Sequence, residues 1–94
     1  MKKSQPDALE SLPNIGKTIA GKLRAIGIET SADFLARDPY DVFDELRREV
    51  DPTLCRCALA SIVGAKQSAP WHKITKQTAQ EYERRYPNYK WGKC

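Results

Sequence analysis

The sequence lacks the features that mark several classes of protein. It contains no apolar run of the about 18 to 20 residues that a membrane-spanning helix needs. Lysines and polar side chains follow Met1 in place of an apolar segment, so no signal peptide is predicted. We therefore expect a cytoplasmic protein with no membrane partner.

Cysteine is scarce as well. Three cysteines are an odd number in a chain with no predicted secretion signal, which argues against a disulfide framework. The candidate ligands for a zinc site are Cys55, Cys57, His72 and Cys94. Residues two positions apart on a helix point about 200° away from each other, so Cys55 and Cys57 do not easily share one ion. We interpret Cys55 as a buried apolar side chain and predict no metal and no cofactor.

Residues suited to catalysis are few. The chain has one histidine and no pair of acidic residues at a spacing typical of acid–base catalysis. Its 94 residues can bury one modest core and leave no room for a deep substrate cavity. We therefore predict neither an enzyme nor a small-molecule substrate.

Charge, by contrast, is plentiful and unevenly distributed. Residues 1–50 contain eight basic and nine acidic side chains, a net charge of −1. Residues 51–94 contain eight basic and three acidic side chains, a net charge of +5, so the sum is the formal charge of +4. A mildly basic protein suits a polyanionic partner, although many proteins of this charge bind none.

Residues 12–28 organise the N-terminal half of the chain. Asn14 and Gly16 tolerate the unusual backbone angles of a tight loop, and Ile15 between them is predicted to point inward. The apolar residues that follow have the spacing of one helix face, and they are Ile19, Ala20, Leu23 and Ile26. We predict that this helix ends at Gly27. The loop then presents backbone N–H groups and the positive end of a helix to solvent, which suits an anion such as a phosphate.

The remaining pattern predicts further helices and no strands. The predicted helices cover about residues 7–12, 17–26, 31–37, 39–50, 52–65 and 75–86, the first capped by Asp7. Asp38-Pro39 and Asp51-Pro52 are start signals for the fourth and fifth helices, and Gly64 is predicted to end the fifth. Thr75 caps the last helix after a linker at 66–73. The chain is therefore predicted to be all-α, a compact bundle of five or six helices.

Two residues within these helices are interpreted from their positions. Gly21 costs about 1 kcal/mol relative to alanine inside a helix, and we interpret it as the point where a neighbouring helix approaches closely. Asp44 lies with other charged residues on the outer face of the fourth helix, which we expect to be solvated.

Two resemblances follow from these residues. Residues 12–17, Leu-Pro-Asn-Ile-Gly-Lys, with the helix after them, resemble the helix-hairpin-helix motif of proteins that bind DNA without sequence preference. Asn14 stands where that motif usually has its first glycine. Residues 9–65, 70–74 and 86–91 resemble the pathogenicity-locus family of small bacterial helix-hairpin-helix proteins, some of which carry a mitomycin-resistance label. That label suggests DNA repair or damage resistance, whereas the family implies a fold and no established activity.

The resemblance implies a SAM-like tandem helix-hairpin-helix fold with a C-terminal helical extension. We divide the chain into a flexible tail, 1–6, a tandem helix-hairpin-helix domain, 7–65, and a basic-aromatic extension, 66–94, packed on the same domain. In the second copy, Asp38-Pro39 replaces the glycine-bearing loop. Because a carboxylate repels phosphate, we expect only the first copy to touch nucleic acid.

The predicted function is DNA binding through backbone phosphates, without reading bases. The predicted phosphate-binding residues are Asn14, Ile15, Gly16, Lys17, Thr18, Lys22 and Arg24. A secondary basic contact is predicted at Arg84, Arg85 and Lys90. The alternative is a protein-interaction module or homodimer of the same SAM-like fold, in which the loop is only a structural turn. A large exposed apolar patch would favour that alternative.

The C-terminal third also mixes aromatic and basic side chains. The aromatic residues are Trp71, His72, Tyr82, Tyr86, Tyr89 and Trp91. Such side chains can stack on unpaired bases while cations follow the backbone, or they can pack the last helix onto the bundle. For Trp71 we prefer the packing role.

Overall fold

The structure is a computed structural model that describes residues 8–89. Within this range it contains five α-helices, one turn of 3-10 helix and no strand. The 3-10 turn is Leu9–Ser11, and the helices are α1 (Lys17–Ala25), α2 (Ser31–Leu35), α3 (Pro39–Glu49), α4 (Arg56–Gln67) and α5 (Trp71–Arg85). The prediction of an all-α helical bundle is therefore confirmed.

Some predictions fall outside the described residues. They concern the tail at 1–6 and the residues Asp7, Lys90, Trp91 and Cys94. From residue 8 to residue 89, no helix is both long enough and apolar enough to cross a bilayer.

One core holds the helices together, and it uses the helix faces that the sequence predicts. On α1 the side chains of Ala20 and Leu23 are buried, and on α3 those of Val42, Phe43 and Leu46 are. The buried apolar residues of α4 and α5 are Leu59, Ala60, Ile62, Val63, Ala65, Ile74, Ala79 and Tyr82. Because α4 packs against both α3 and α5, it forms the centre of the bundle.

The end of α1 follows the prediction. Gly27 has a φ of 89°, in the left-handed region that glycine adopts without steric cost. The N–H groups of Gly27 and Ile28 donate to the carbonyls of Arg24 and Leu23 at 3.1 and 3.0 Å. These bonds close the last turn of the helix.

The start of α4 differs from the prediction. The helix begins at Arg56, with Cys55 as its N-cap, and not near Pro52. Asp51 closes a separate turn, because its carboxylate accepts a hydrogen bond from the N–H of Thr53 at 2.9 Å. The Asp-Pro signal therefore starts a turn at this position and not a helix.

The predicted start of α5 is also wrong, and here the helix begins earlier in the chain than predicted. The helix begins at Trp71, four residues before the predicted cap. Thr75 lies inside the helix, and its hydroxyl donates to the carbonyl of Trp71 at 2.8 Å, a bond that threonine makes within helices. The linker predicted at 66–73 shrinks to a turn at 68–70, in which Ser68 has a left-handed φ of 57°.

The roles of two helical glycines are also corrected. Gly21 is exposed, and an added Cβ would meet nothing within 4 Å, so no neighbouring helix approaches it. Gly64 does not end α4 but lies buried within it. A Cβ there would lie 2.6 Å from the side-chain nitrogen of Asn14 and against the carbonyl of Ala69. The close approach that requires glycine is therefore at position 64.

Asp44 is buried, so the prediction of a solvated carboxylate is wrong. It accepts hydrogen bonds from the Tyr82 hydroxyl at 2.8 Å, from Arg48 at 2.8 Å and from Arg47 at 3.1 Å. Burial by itself raises the pKa of Asp44, but the three donors outweigh burial and hold the pKa below its usual value. This network ties α3 to α5.

Candidate nucleic-acid interface

The first loop, residues 13–16, joins the 3-10 turn to α1 and is anchored from its inner side. Asn14 has a left-handed φ of 68°, and its side-chain amide donates to the carbonyl of Ala69 at 2.8 Å. Ile15 is only 5% exposed, so its inward orientation is confirmed. Asn14 and Ile15 therefore fix the loop on the protein, while the residues after them are exposed to solvent.

The beginning of α1 is open, in the sense that its first backbone N–H groups have no hydrogen-bond partner in the described residues. Gly16, Lys17 and Thr18 are exposed, and among residues 8–89 no acceptor lies within hydrogen-bond distance of their backbone N–H groups. Gly16 is the N-cap and has no side chain that could accept these bonds, and the first turn of α1 contains no acidic residue. Unsatisfied N–H groups at the positive end of a helix are suited to binding a phosphate oxygen.

Two predicted phosphate contacts on α1 are ion-paired within the protein. The ammonium nitrogen of Lys22 lies 3.3 Å from the Asp51 carboxylate, and Arg24 donates to Glu10 at 2.9 Å. The bond from Arg24 lowers the pKa of the Glu10 carboxyl. Because a neighbouring carboxylate offsets the charge of each cation, Lys22 and Arg24 attract a phosphate less strongly than an unpaired lysine does.

The second loop, residues 36–38, precedes α3 and is closed by a carboxylate. Asp38 accepts a hydrogen bond from the N–H of Tyr40 at 2.8 Å and another from Arg85 at 3.0 Å. Asp41 adds a second acidic side chain in the first turn of α3. The start of α3 is therefore already occupied by an anion of the protein itself.

The predicted secondary basic contact is distant from the first loop. Arg84 and Arg85 both donate to Glu81, at 3.0 and 2.8 Å, and lower the pKa of Glu81 to about 2. They lie in the last turn of α5, about 20 Å from its first turn at 1.5 Å per residue. The structure thus pairs these arginines locally and does not bring them to the loop.

Lysines without an ion pair lie near the contact between the first loop and the α4–α5 turn. These lysines are Lys17, Lys66, Lys73 and Lys76. In the described part of the chain, none of them has a carboxylate within ion-pairing distance. Lys17 follows Asn14 by three residues, and Lys73 follows Ala69 by four. Lys66 precedes Ala69 by three residues, but its ammonium donates to the carbonyl of Arg37 at 3.0 Å. The hydrogen bond between Asn14 and Ala69 brings these segments together.

Lys17 is one of the predicted phosphate contacts, whereas Lys66, Lys73 and Lys76 are not among the predicted site residues, although part of the signal was present. Arg84 and Arg85 have an acidic residue three or four positions before them, which is the spacing of ion pairs along a helix. Lys66, Lys73 and Lys76 have no acidic residue three or four positions away in either direction. Counting such neighbours would have separated paired from unpaired cations on α4 and α5.

The aromatic side chains divide into a packed group and one exposed residue. Tyr82 is buried, and the rings of Tyr86 and Tyr89 lie 4.7 and 5.2 Å from its ring centre. Trp71 is 39% exposed and contacts the ring of His72 edge-on at 5.7 Å. The preference for a packed Trp71 is therefore wrong.

The cysteines also differ from the prediction. Cys55 is half-buried at the N-cap of α4 and is disulfide-bonded, so its interpretation as a buried apolar thiol is wrong. Cys57 is a half-buried thiol. Between residues 8 and 89, no three or more histidine, cysteine or acidic side chains are grouped so that they could hold a metal ion.

The comparison with protein families supports the resemblance drawn from the residues. A family model described as pathogenicity locus, Cdd1, matches residues 2–90. The chain belongs to the pathogenicity-locus family. The match covers both loops and α5, so the whole arrangement described above is that of a family member.

A solved structure has a similar fold. This is an uncharacterized protein from Listeria monocytogenes, crystallised in a triclinic form, with a TM-score of 0.71 and 23% sequence identity. The alignment covers 87% of this chain and 97% of the Listeria chain. At this identity the likeness shows the fold alone. No match was found among the curated proteins.

Proposed function

We propose that this pathogenicity-locus protein binds DNA without sequence preference, through backbone phosphates at the first loop. The observation that carries the proposal is the open start of α1, where the N–H groups of Gly16, Lys17 and Thr18 have no acceptor in the described chain. In this proposal 7–65 is a tandem helix-hairpin-helix domain in which the first copy contacts DNA. A cytoplasmic role in DNA repair or mitomycin resistance would use this binding.

The unpaired lysines support the same surface. Lys17 adjoins the open helix start, and Lys73 lies in the first turn of α5, four residues after Ala69, whose carbonyl accepts from Asn14. Phosphate contacts release condensed counterions, so binding weakens as salt is added. With about four phosphates neutralised on duplex DNA, the logarithm of affinity should fall against the logarithm of salt with a slope of about −3.6.

The decisive variant is Gly16→Asp, which gives α1 the carboxylate cap that α3 has. The backbone at Gly16 is extended, and an added Cβ meets nothing within 4 Å, so the fold accepts the change. An aspartate N-cap keeps or raises stability by a few tenths of a kcal/mol, while its charge repels phosphate. We expect duplex affinity to fall about tenfold or more at low salt, measured by fluorescence anisotropy with a blunt duplex.

A matched pair of charge removals controls for net charge. Lys17→Gln and Arg84→Gln each remove one positive charge, but only Lys17 adjoins the open helix start. We expect Lys17→Gln to weaken duplex binding several-fold and Arg84→Gln to leave it within about twofold, because Arg84 is paired with Glu81. A folded Gly16→Asp variant with unchanged affinity, or binding indifferent to salt, contradicts the proposal.

The protein-interaction alternative receives less support. It needs a contiguous exposed apolar patch of several hundred Å². Over residues 8–89 the exposed large apolar side chains are Leu35 and Trp71, which lie on different helices, α2 and α5. Single exposed apolar residues are normal on a protein surface.

A further inference from the structure

A groove of 580 Å³ runs along α5 beside the beginning of α4, and the proposed duplex contact does not use it. The polar residues that line it are Arg56 from α4 and His72, Thr75, Lys76, Gln80 and Glu83 from α5. From His72 to Glu83 the helix rises about 16 Å. The groove is therefore long enough for a few linked units of a polymer, and basic side chains outnumber acidic ones along it.

Trp71 adjoins this groove through its contact with His72 and is not itself part of the lining. It precedes Thr75 by one helical turn, so the two side chains share a row on the surface of α5. The ring of Trp71 is 39% exposed and meets the edge of His72, which itself lines the groove. An exposed tryptophan face beside a basic groove offers a stacking surface for a flat ring.

The end of the groove near Trp71 adjoins the first loop. Trp71 lies two residues after Ala69, whose carbonyl accepts the hydrogen bond from Asn14. Lys76 lines the groove further along α5 and is not ion-paired in the part of the chain that the structure describes. A phosphate chain leaving the loop therefore meets first an aromatic ring and then a lysine without an ion pair.

We infer that the groove binds a short single-stranded nucleic-acid segment continuous with the duplex held at the first loop, an inference that rests on the proposed function. The first unpaired base stacks on Trp71, and the backbone passes Lys76 into the groove. A blunt duplex offers no unpaired base at this position, because its bases are stacked in the helix. The substrate class of the site is therefore a duplex that continues into a single strand.

The test uses the full-length chain and three labelled probes: a blunt duplex, the same duplex with a single-stranded extension, and a short oligothymidylate. We expect wild-type protein to bind the extended duplex more tightly than the blunt one. Trp71→Ala should weaken binding of the extended duplex and the oligothymidylate about tenfold, since stacking of one base on an aromatic ring is worth that much or more. Binding of the blunt duplex should change less than twofold.

Leu35→Ala is the matched control. Leu35 is the other large apolar side chain exposed in the described residues, at 42%, and it lies on α2 away from the groove. This variant should bind all three probes like the wild type. Lys76→Gln should weaken binding of the extended duplex and of the oligothymidylate more than binding of the blunt duplex. A second readout is the fluorescence of Trp71 in a Trp91→Phe background, which leaves one tryptophan in the chain and should be quenched by oligothymidylate.

The outcomes separate the two proposals. Equal affinity for blunt and extended duplexes, or an unchanged affinity of Trp71→Ala for the extended duplex, overturns the proposal that the groove binds a single strand. Neither result contradicts the proposed duplex contact. Loss of blunt-duplex binding in a folded Trp71→Ala variant also overturns the groove assignment, because Trp71 would then belong to the duplex site. Absence of binding to every probe by the wild type overturns the proposed function together with the groove.

Discussion

The loops before α1 and α3 each lead into a helix, yet the two helix starts are in opposite states. At the first loop the N-cap is Gly16, and the N–H groups at the start of α1 have no acceptor in the described chain. At the second loop the N-cap is Asp38, which accepts from Tyr40 and binds Arg85. The start of α3 is satisfied within the protein, whereas the start of α1 is available to an outside anion.

The first loop shows that a helix start can keep unpaired N–H groups while the loop before it stays fixed on the protein. A side-chain N-cap contributes about 1 kcal/mol to a helix, and α1 has none. The first loop is fixed instead by residues before the cap, since Asn14 bonds to Ala69 and Ile15 is buried. Anchoring from the inner side leaves the outer N–H groups uncovered, which is the arrangement that the proposed phosphate contact needs.

The largest expected effect comes from separating the first loop from the α4–α5 turn. In Gly64→Ala the new Cβ would lie 2.6 Å from the Asn14 side-chain nitrogen and against the Ala69 carbonyl. We expect the free energy of unfolding in urea to fall by about 2 to 3 kcal/mol, because the overpacked atoms must move. Gly21→Ala is the matched control, and with open space around it should stabilise α1 by about 0.5 to 1 kcal/mol. Equal effects of the two substitutions would contradict the close contact.

The next effect tests the hydrogen-bond network of Asp44, which ties α3 to α5. Asp44→Asn replaces the carboxylate that accepts from Tyr82, Arg47 and Arg48, and should lower the free energy of unfolding by about 2 kcal/mol at pH 7. The folded-state pKa of Asp44 lies below its usual value, so its contribution is present above about pH 4 and is lost as the pH falls through the folded pKa. Urea unfolding at pH 7 and pH 3 should therefore show a smaller pH difference in the variant than in the wild type. An unchanged pH difference would show that other carboxylates carry the dependence.

The smallest expected effect comes from removing the N-cap of α3 in the second loop. Asp38→Ala removes the cap of α3 and should lower the free energy of unfolding by about 1 kcal/mol. Asp38→Ser keeps a capping oxygen and loses only the ion pair with Arg85, so it should recover most of that stability, because an exposed ion pair contributes little. Thermal unfolding of both variants measures the difference. A serine variant as unstable as the alanine variant would mean that the ion pair, and not the cap, stabilises this loop.

Much of the fold was predictable, because the determining signals are local. The apolar spacing on α1 and α3 gave the buried faces, Gly27 gave the end of α1, and Asp38-Pro39 gave the start of α3. The same Asp-Pro signal failed at Asp51, where the aspartate bonds to Thr53 and closes a turn. Two identical dipeptides thus have different outcomes, because the residues that follow them decide whether a helix continues.

The candidate site was predictable only in part. The first loop was identified from Asn14 and Gly16, and the structure shows an anchored loop with an open helix start. Of the cations predicted at this loop, Lys22 and Arg24 are ion-paired with Asp51 and Glu10. The arginines predicted as a secondary contact lie at the far end of α5. Trp71 was expected to be packed and is exposed.

The sequence alone determined the buried face of α1, the open start of α1 and the capped start of α3, because these depend on residues a few positions apart. Tertiary structure decided which charges remain unpaired, because pairs such as Lys22–Asp51 and Arg85–Asp38 join residues far apart in the chain. It also decided that α5 begins beside the first loop, through the bond from Asn14 to Ala69, 55 residues later. Contacts over such distances follow from packing and are not encoded in any local spacing.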